Sequence, residues 1–220
     1  MASHRPTIAI SGMIGVGKTT LTSLLADELD LEPIYEPVKN NPILAKYYKD
    51  PKRYGFSLQS YFLNQRFGSM QHALWHGGKI LDRHLGEDIV FGRQNFEAGN
   101  IDDTDFQTYT SMIENMQSSL RGLPQSAPDL TIYLASDMEH VLKNIKRRGR
   151  TYEQVENDND LLKYYQELLA QYEPWYTDYT WTPKIRFDMT KLDLSIDEDK
   201  DFIISEILKI LDIKQSKEDD

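Results

Sequence analysis

Cysteine is absent from this 220-residue chain, so neither a disulfide framework nor a thiolate zinc site is open to it. That fits a reducing interior. Long apolar runs are missing as well, for no stretch approaches the ~20 residues that cross a bilayer. The first strand begins too early to leave room for a cleaved leader, so the expectation is a cytoplasmic protein with no membrane partner. Positive charge is scarce: 25 Lys and Arg stand against 35 Asp and Glu, a formal net charge of −10. Such a surface repels a phosphate backbone unless cations are gathered locally, so nucleic acid is not an expected partner. The one local gathering, Lys143 to Arg150, is short. Repeats and low-complexity linkers are lacking too. What remains is 40% hydrophobic, enough for one core, and 1–220 reads as a single domain.

The most informative stretch present is Gly12-Met13-Ile14-Gly15-Val16-Gly17-Lys18-Thr19, directly after the apolar run Thr7-Ile8-Ala9-Ile10 and before Thr20 to Ala26, which reads as a helix. A buried strand, a glycine-rich turn and a helix N-terminus in that order form a phosphate-binding loop. The glycines let backbone N–H groups crowd an anion, Lys18 is placed to reach β and γ oxygens, and the Thr19 hydroxyl to ligate Mg²⁺. A nucleoside triphosphate is the expected ligand.

The rest of the chain alternates strand and helix, the pattern of a parallel sheet covered on both faces. Glu32 to Val38 reads as a second strand stopped by Pro37, which puts Glu36 at a strand's C-terminal end, where open parallel sheets carry their ligand crevice. From Tyr54 to about Leu74 the spacing is helical, with Gln59 and Arg66 on one face about 10 Å apart among aromatics. His72 and His76 share that helix without an acidic partner and read as surface residues. Lys79 to Asp82 is a third strand, and Asp82-Arg83 at its end suits phosphoryl transfer, the acid steering Mg²⁺ and the arginine neutralising charge. Glu87-Asp88 opens the next helix, where acids favour the macrodipole. A helix over about 104–120, a strand at Leu130–Leu134 and a helix over 137–145 follow. The run 146–157, with Lys146, Arg147, Arg148 and Arg150 around Gly149, reads as a mobile lid whose arginines clamp phosphates. Segment 158–178, rich in Leu and Tyr, reads as helical, Lys184–Asp188 as a fifth strand, 197–213 as a last helix and 214–220 as a charged, frayed tail.

Taken together, the phosphate loop, Tyr35-Glu36-Pro37-Val38, Phe56-Ser57-Leu58-Gln59-Ser60-Tyr61, Asp82-Arg83, Asp88, and Arg148-Gly149-Arg150 followed by Glu153 resemble the deoxyribonucleoside kinase family. The likeness runs from about residue 6 to residue 190, and is nearest to the bacterial deoxyadenosine/deoxyguanosine kinases, where Asp replaces the Glu of the animal enzymes' Glu-Arg-Ser motif. It implies an α/β P-loop kinase with a five-stranded parallel sheet, using ATP and Mg²⁺ to phosphorylate a deoxynucleoside in nucleotide salvage, and a homodimer. By resemblance, Glu36 is the general base on the 5′-hydroxyl, and Asp82 is a magnesium-associated acid with Arg83 beside the reacting phosphates. Tyr48 and Glu153 hold the 3′-hydroxyl, Gln59 reads the base edge, Arg66 and Asp88 hydrogen-bond a purine or cytosine, and Arg148 and Arg150 are lid arginines. The chain departs from the pattern at His84, where Ser is usual. It departs again at Asn144, where an upstream lid arginine is replaced, leaving Lys143, Lys146 or Arg147 to substitute. The base-stacking aromatic falls at or beside Phe91-Gly92.

Two other readings compete. A thymidylate kinase shares the loop, the Asp-Arg pair and the basic lid, but carries an arginine before its Glu-Pro for the acceptor phosphate, and here that residue is Tyr35. A nucleotide-dependent switch would carry a guanine-reading Asn-Lys-x-Asp tetrad, which does not occur.

Overall fold

The computed structural model describes residues 5–38 and 41–218. Five strands, β1 Ile8–Gly12, β2 Glu32–Ile34, β3 Lys79–Leu81, β4 Leu130–Ala135 and β5 Lys184–Asp188, form one sheet in the order β2-β3-β1-β4-β5. Every pairing is parallel, with Ile8 opposite both Ile80 and Leu130. Side chains alternate across the sheet. Ile8 and Ile10 accordingly enter one buried cluster with Leu21, Leu25, Ile203 and Ile207. Ala9, between them, enters another with Leu63, Met70, Leu74 and Ile113. The first cluster is closed by helices α1 (Lys18–Glu28) and α9 (Asp197–Glu218), the second by α3 (Pro51–His76) and α5 (Asp103–Leu120). Helices thus cover both faces of an apolar sheet, as a parallel sheet requires. Because the strands are parallel, the residues that follow β1, β2 and β3 all emerge at one edge. Among the described residues no helix is long and apolar enough to cross a membrane.

Several boundaries differ from the sequence reading. Strand β2 ends at Ile34, not at Pro37: its neighbour β3 pairs Leu81 with Ile34 and then turns away, with Asp82 N–H donating the last bond to the Ile34 carbonyl at 2.9 Å. Glu36 therefore lies in extended chain two residues past the strand. A short helix α2 (Leu44–Tyr47) went unforeseen; Asn41 starts its turn by accepting bonds from the Ile43 and Leu44 amides. Helix α3 begins earlier than Tyr54, because Asp50 caps the Arg53 amide and Pro51 sits at the first helical position. The segment expected to be helical over 158–178 is so, as two helices, α7 (Asn159–Ala170) and α8 (Tyr172–Asp178). Pro174 explains the break, since it has no N–H for a bond back to Ala170 and is tolerated only in a first turn. Helix α9 continues to Glu218, past the frayed tail expected from 214; that stretch holds no Gly or Pro to stop it. The last two residues of that tail lie outside the described residues. Helices α4 (Asp88–Glu97) and α6 (Met138–Arg148) fall near their expected places, α6 capped by Asp137 on the His140 amide and ended by Gly149 at φ 72.

His84, the departure beside Arg83, is part of the packing. It is fully buried, with Tyr179 and Trp181 edge-on at 5.0 and 5.5 Å. Its Nδ1 accepts from the Gly86 amide at 2.7 Å, so in the neutral ring the proton is on Nε2, which donates to the Tyr179 hydroxyl at 2.9 Å. Tyr179 in turn shares hydrogen bonds with Thr131 on β4 and with Thr182. The loop after β3 is thereby tied to the far side of the sheet.

Two predictions follow from this packing. Burial pushes the His84 pKa down from 6.5 to about 3. Between those values the unfolded chain binds a proton that the folded chain does not, so this contribution is complete above pH 6.5 and is lost as pH falls toward 3, at ~1.4 kcal/mol per pH unit. The variant His84→Asn, which cannot titrate, should show a shallower loss of stability between pH 7 and pH 5 in urea unfolding; parallel pH dependences would refute the assignment. Gly92 on α4 is the second case, since a Cβ there would meet the buried Tyr109 ring at 2.4 Å. Gly92→Ala should cost ~1–3 kcal/mol by overpacking, seen as a lowered Tm.

Candidate active site

The loop between β1 and α1 bends through three glycines at positive φ, Gly12 at 143, Gly15 at 81 and Gly17 at 109. Gly12 also has no room for a side chain, because a Cβ would approach the Leu134 carbonyl oxygen to 2.6 Å. The Met13 and Val16 side chains are buried in the core, so those two residues can offer a ligand only their backbone; Ile14 lines the cavity described below. Lys18 Nζ donates to the Gly12 and Met13 carbonyls at 2.8 and 2.9 Å, curled over the loop. Burial, reinforced by the nearby Arg83 cation, lowers its pKa to about 7. Thr19 Oγ1 donates to Asp82 Oδ2 at 2.5 Å, and burial raises the Asp82 pKa. The two residues named for a metal are thus in contact. Both offer hard oxygen donors beside a phosphate loop, the set that suits Mg²⁺. Among the described residues no group of three or more His, Cys, Asp and Glu could hold a metal. Mg²⁺ commonly uses one or two protein oxygens together with phosphate oxygens, so the residues fit it.

Past the sheet edge two arginines and three carboxylates interlock. Arg66, from the middle of α3, donates through Nε to Glu36 Oε1 at 2.9 Å, through Nη2 to the same oxygen, and through Nη1 to Asp88 Oδ1. Arg83 donates through Nε to Glu36 Oε2 at 3.3 Å, and through Nη1 to Glu87, to the Gly12 carbonyl at 3.0 Å and to the Tyr172 hydroxyl at 3.1 Å. Burial alone would raise the Glu36 pKa, but the Arg66 and Arg83 cations outweigh it and hold the carboxyl down at about 2. Asp88 behaves oppositely: burial pushes it up to about 7 despite Arg66.

Glu36, Arg66 and Arg83 face a cavity of about 540 Å³. Gln59, Phe62, Phe91, Tyr48, Glu153, Arg148 and Arg150 line it as well. The Arg66 guanidinium lies 5.0 Å from the Phe62 ring centroid and 5.4 Å from that of Phe91, and the Arg83 guanidinium 4.9 Å from Phe91. Of the pair Phe91-Gly92, Phe91 lines the cavity, while Gly92 faces Tyr109. Asp88 is fully buried behind Arg66 and does not line the wall. Tyr48 lies against Tyr152, with centroids 5.3 Å apart, and burial raises its hydroxyl pKa.

In the basic segment 146–157, Arg148 and Arg150 both donate to the buried Glu153 carboxylate, and the Tyr165 hydroxyl donates to the Glu153 carbonyl at 3.3 Å. A second recess of about 220 Å³ is lined by Gly15, Gly17, Lys18, Thr19 and Thr20 with Asn144, Arg147 and Arg148. Arg147 is therefore the cation beside the loop near Asn144, whereas Lys146 pairs outward with Glu156 at 2.8 Å. Tyr35 is 45% exposed and its hydroxyl is 2.8 Å from Ser23 Oγ. His72 and His76 stand outside these cavities, exposed, with rings 4.6 Å apart.

Sequence reasoning missed Glu87 and the tyrosines Tyr47, Tyr164 and Tyr172, of which the first two line the cavity and the last bonds Arg83. Glu87, read only as a helix-opening acid, is fully buried, pairs with Arg83, and accepts from the Gly12 amide at 3.2 Å. Its i,i+4 spacing from Arg83 was the available signal.

Known proteins resemble this chain over nearly its whole length. The Deoxynucleoside kinase family profile matches residues 8–212. A deoxyguanosine kinase of Lactobacillus johnsonii is 40% identical over 97% of this chain and 96% of its own length. A deoxyadenosine kinase of Lactobacillus acidophilus is 41% identical over 94% and 95%. Among solved structures, deoxyadenosine kinase from M. mycoides with bound dATP superposes with a TM-score of 0.77 at 31% identity, covering 91% of this chain and 98% of that one. With the phosphate loop, the parallel sheet and the paired arginines already in place, the match over nearly the whole length means that this chain belongs to the deoxynucleoside kinase family.

Proposed function

We propose that the chain transfers the γ-phosphate of ATP to the 5′-hydroxyl of a purine deoxynucleoside, deoxyadenosine first, with deoxyguanosine or deoxycytidine as secondary acceptors. The observation that carries this reading is Glu36, a carboxylate held between Arg66 and Arg83 in a cavity that Lys18 and Thr19 of the phosphate loop also line. The relatives named above act on deoxyguanosine and deoxyadenosine, which supports a purine acceptor.

Phosphoryl transfer needs little covalent help, so positioning and charge stabilisation supply most of the acceleration. Glu36 takes the 5′-hydroxyl proton as that oxygen attacks the γ-phosphorus and ADP leaves. Lys18 turns from its loop carbonyls to the β and γ oxygens, and Arg83, Arg148 and Arg150 spread the charge that develops. Thr19 and Asp82 would hold Mg²⁺, which when bound neutralises phosphate charge. Tyr48 and Glu153 hold the 3′-hydroxyl, while Gln59 and Arg66, backed by Asp88, read a base edge. Segment 146–157 acts as a lid on a single domain, with the Arg147 recess continuing the ATP site. The protein works in the cytoplasm as a homodimer. A thymidylate-type acceptor is disfavoured because Tyr35, not a cation, stands beside Glu36.

Coupled ADP release with Mg·ATP, scanned over deoxyadenosine, deoxyguanosine, deoxycytidine, thymidine and thymidylate, tests the reading. Turnover with a purine deoxynucleoside or deoxycytidine is expected. Turnover with thymidylate alone would move the assignment to a monophosphate kinase, and none above basal hydrolysis would revive a switch. In the same assay Glu36→Gln should lower kcat ~10²–10⁴-fold while leaving ATP binding nearly intact. Near-normal turnover of that variant would remove Glu36 from the role of base.

A further inference from the structure

Both oxygens of Glu36 are engaged by cations. Oε1 takes two N–H bonds from one edge of the Arg66 guanidinium, and Oε2 takes a longer one from Arg83 at 3.3 Å. A carboxylate so held is a poor proton acceptor. Behind Arg66, Asp88 is unevenly served: Oδ1 accepts from Arg66 and lies 3.3 Å from the Tyr109 hydroxyl, while Oδ2 is buried without any partner. An unsatisfied buried carboxylate oxygen is costly, and here it lies beside a guanidinium that could supply the missing bond. Arg66 also stands on the cavity wall with Phe62 and Phe91. The guanidinium therefore has two alternative acceptor sets within reach. One is the observed set, Glu36 Oε1 with a single Asp88 oxygen. The other is both Asp88 oxygens together with a hydrogen-bond acceptor in the cavity.

We propose that Arg66 is a positioning residue that couples nucleobase recognition to the general base: a base edge that accepts from its guanidinium draws it off Glu36 and onto Asp88, leaving Oε1 free for the 5′-hydroxyl proton. This rests on the reading of Glu36 as base and of the cavity as the nucleoside site. It makes the correct base a condition for fast chemistry and not only for tight binding. A sugar that presents a 5′-hydroxyl but no base leaves Arg66 on Glu36 and finds the base occupied.

The test compares deoxyadenosine with 1,2-dideoxyribose, the same sugar bearing hydrogen in place of the base, each at saturating Mg·ATP. Wild-type kcat for the baseless sugar should be ~100-fold or more below that for deoxyadenosine, the usual worth of a working general base. Arg66→Met should lower kcat for deoxyadenosine and raise kcat for the baseless sugar about 10-fold over wild type, a fraction of the same factor. A residue that merely binds the nucleobase or supports the fold would not produce that gain. If the variant leaves baseless-sugar turnover at or below the wild-type level, or if wild type turns over both acceptors equally, the coupling is overturned. Arg66→Lys guards against misfolding, because it keeps a cation beside Asp88 but cannot bridge two carboxylates, and should shift both rates in the same directions. Wild-type failure on deoxyadenosine would instead sink the kinase reading on that substrate, so the two failures are distinct.

Discussion

Everything at the working edge of this sheet depends on one constraint: buried ions must be paired. Lys18, Arg66 and Arg83 share the region with Asp82, Glu87, Asp88 and the nearly buried Glu36. None of these groups could sit there alone, since stripping water from a charge costs more than the fold can supply without a partner. Arg66, Arg83, Glu36, Glu87 and Asp88 are therefore placed by one another, while Lys18 is held by the Gly12 and Met13 carbonyls and Asp82 by the Thr19 hydroxyl. Arg83 binds Glu36, Glu87 and a loop carbonyl at once; Arg66 spans two carboxylates. The sheet makes this possible by delivering β1, β2 and β3 to one edge in parallel, with α3 alongside. Burial pushes both Glu36 and Asp88 up, and they part because Glu36 is gripped by two arginines, which overcome it, whereas Arg66 alone does not overcome it at Asp88.

Such a cluster also gives the fold specificity. Its members come from residues 18, 36, 66, 82, 83, 87 and 88, on five separate stretches of chain once the loop and the strand ends are counted apart. An alternative packing that misplaced one strand end would strand a buried charge, a penalty larger than most apolar misfits. His84 serves the same end without charge, by tying the loop after β3 through Tyr179 to β4.

Much of this was legible in the sequence because the signals were local. The phosphate loop is a contiguous pattern, and an apolar strand before it and a helix after it required only periodicity. The fifth strand and the Asp82-Arg83 turn were visible for the same reason. What escaped reading was set by distance. Nothing near Ile34 says that β2 ends there; the end is imposed by Leu81 on the neighbouring strand. Pro174 stood in plain view, yet whether it begins a new helix or ends an old one depends on packing around Tyr172. Glu87 looked like any helix-opening acid, and its bond to the Gly12 amide spans 75 residues. The family resemblance named Gln59, Arg66 and Asp88 together, but that Asp88 is fully buried and not on the cavity wall is a fact of depth, which spacing does not encode.

The bond from the Gly12 amide to Glu87 has one more consequence. In a phosphate loop, backbone N–H groups are the seats offered to an incoming anion, and here the first seat is already taken by a resident carboxylate. Arg83 pairs with that same carboxylate and also donates to the Gly12 carbonyl, so both polar groups of the Gly12 backbone are held by one ion pair. The strand end of the loop is thereby a fixed wall, and the loop's later residues are its open side.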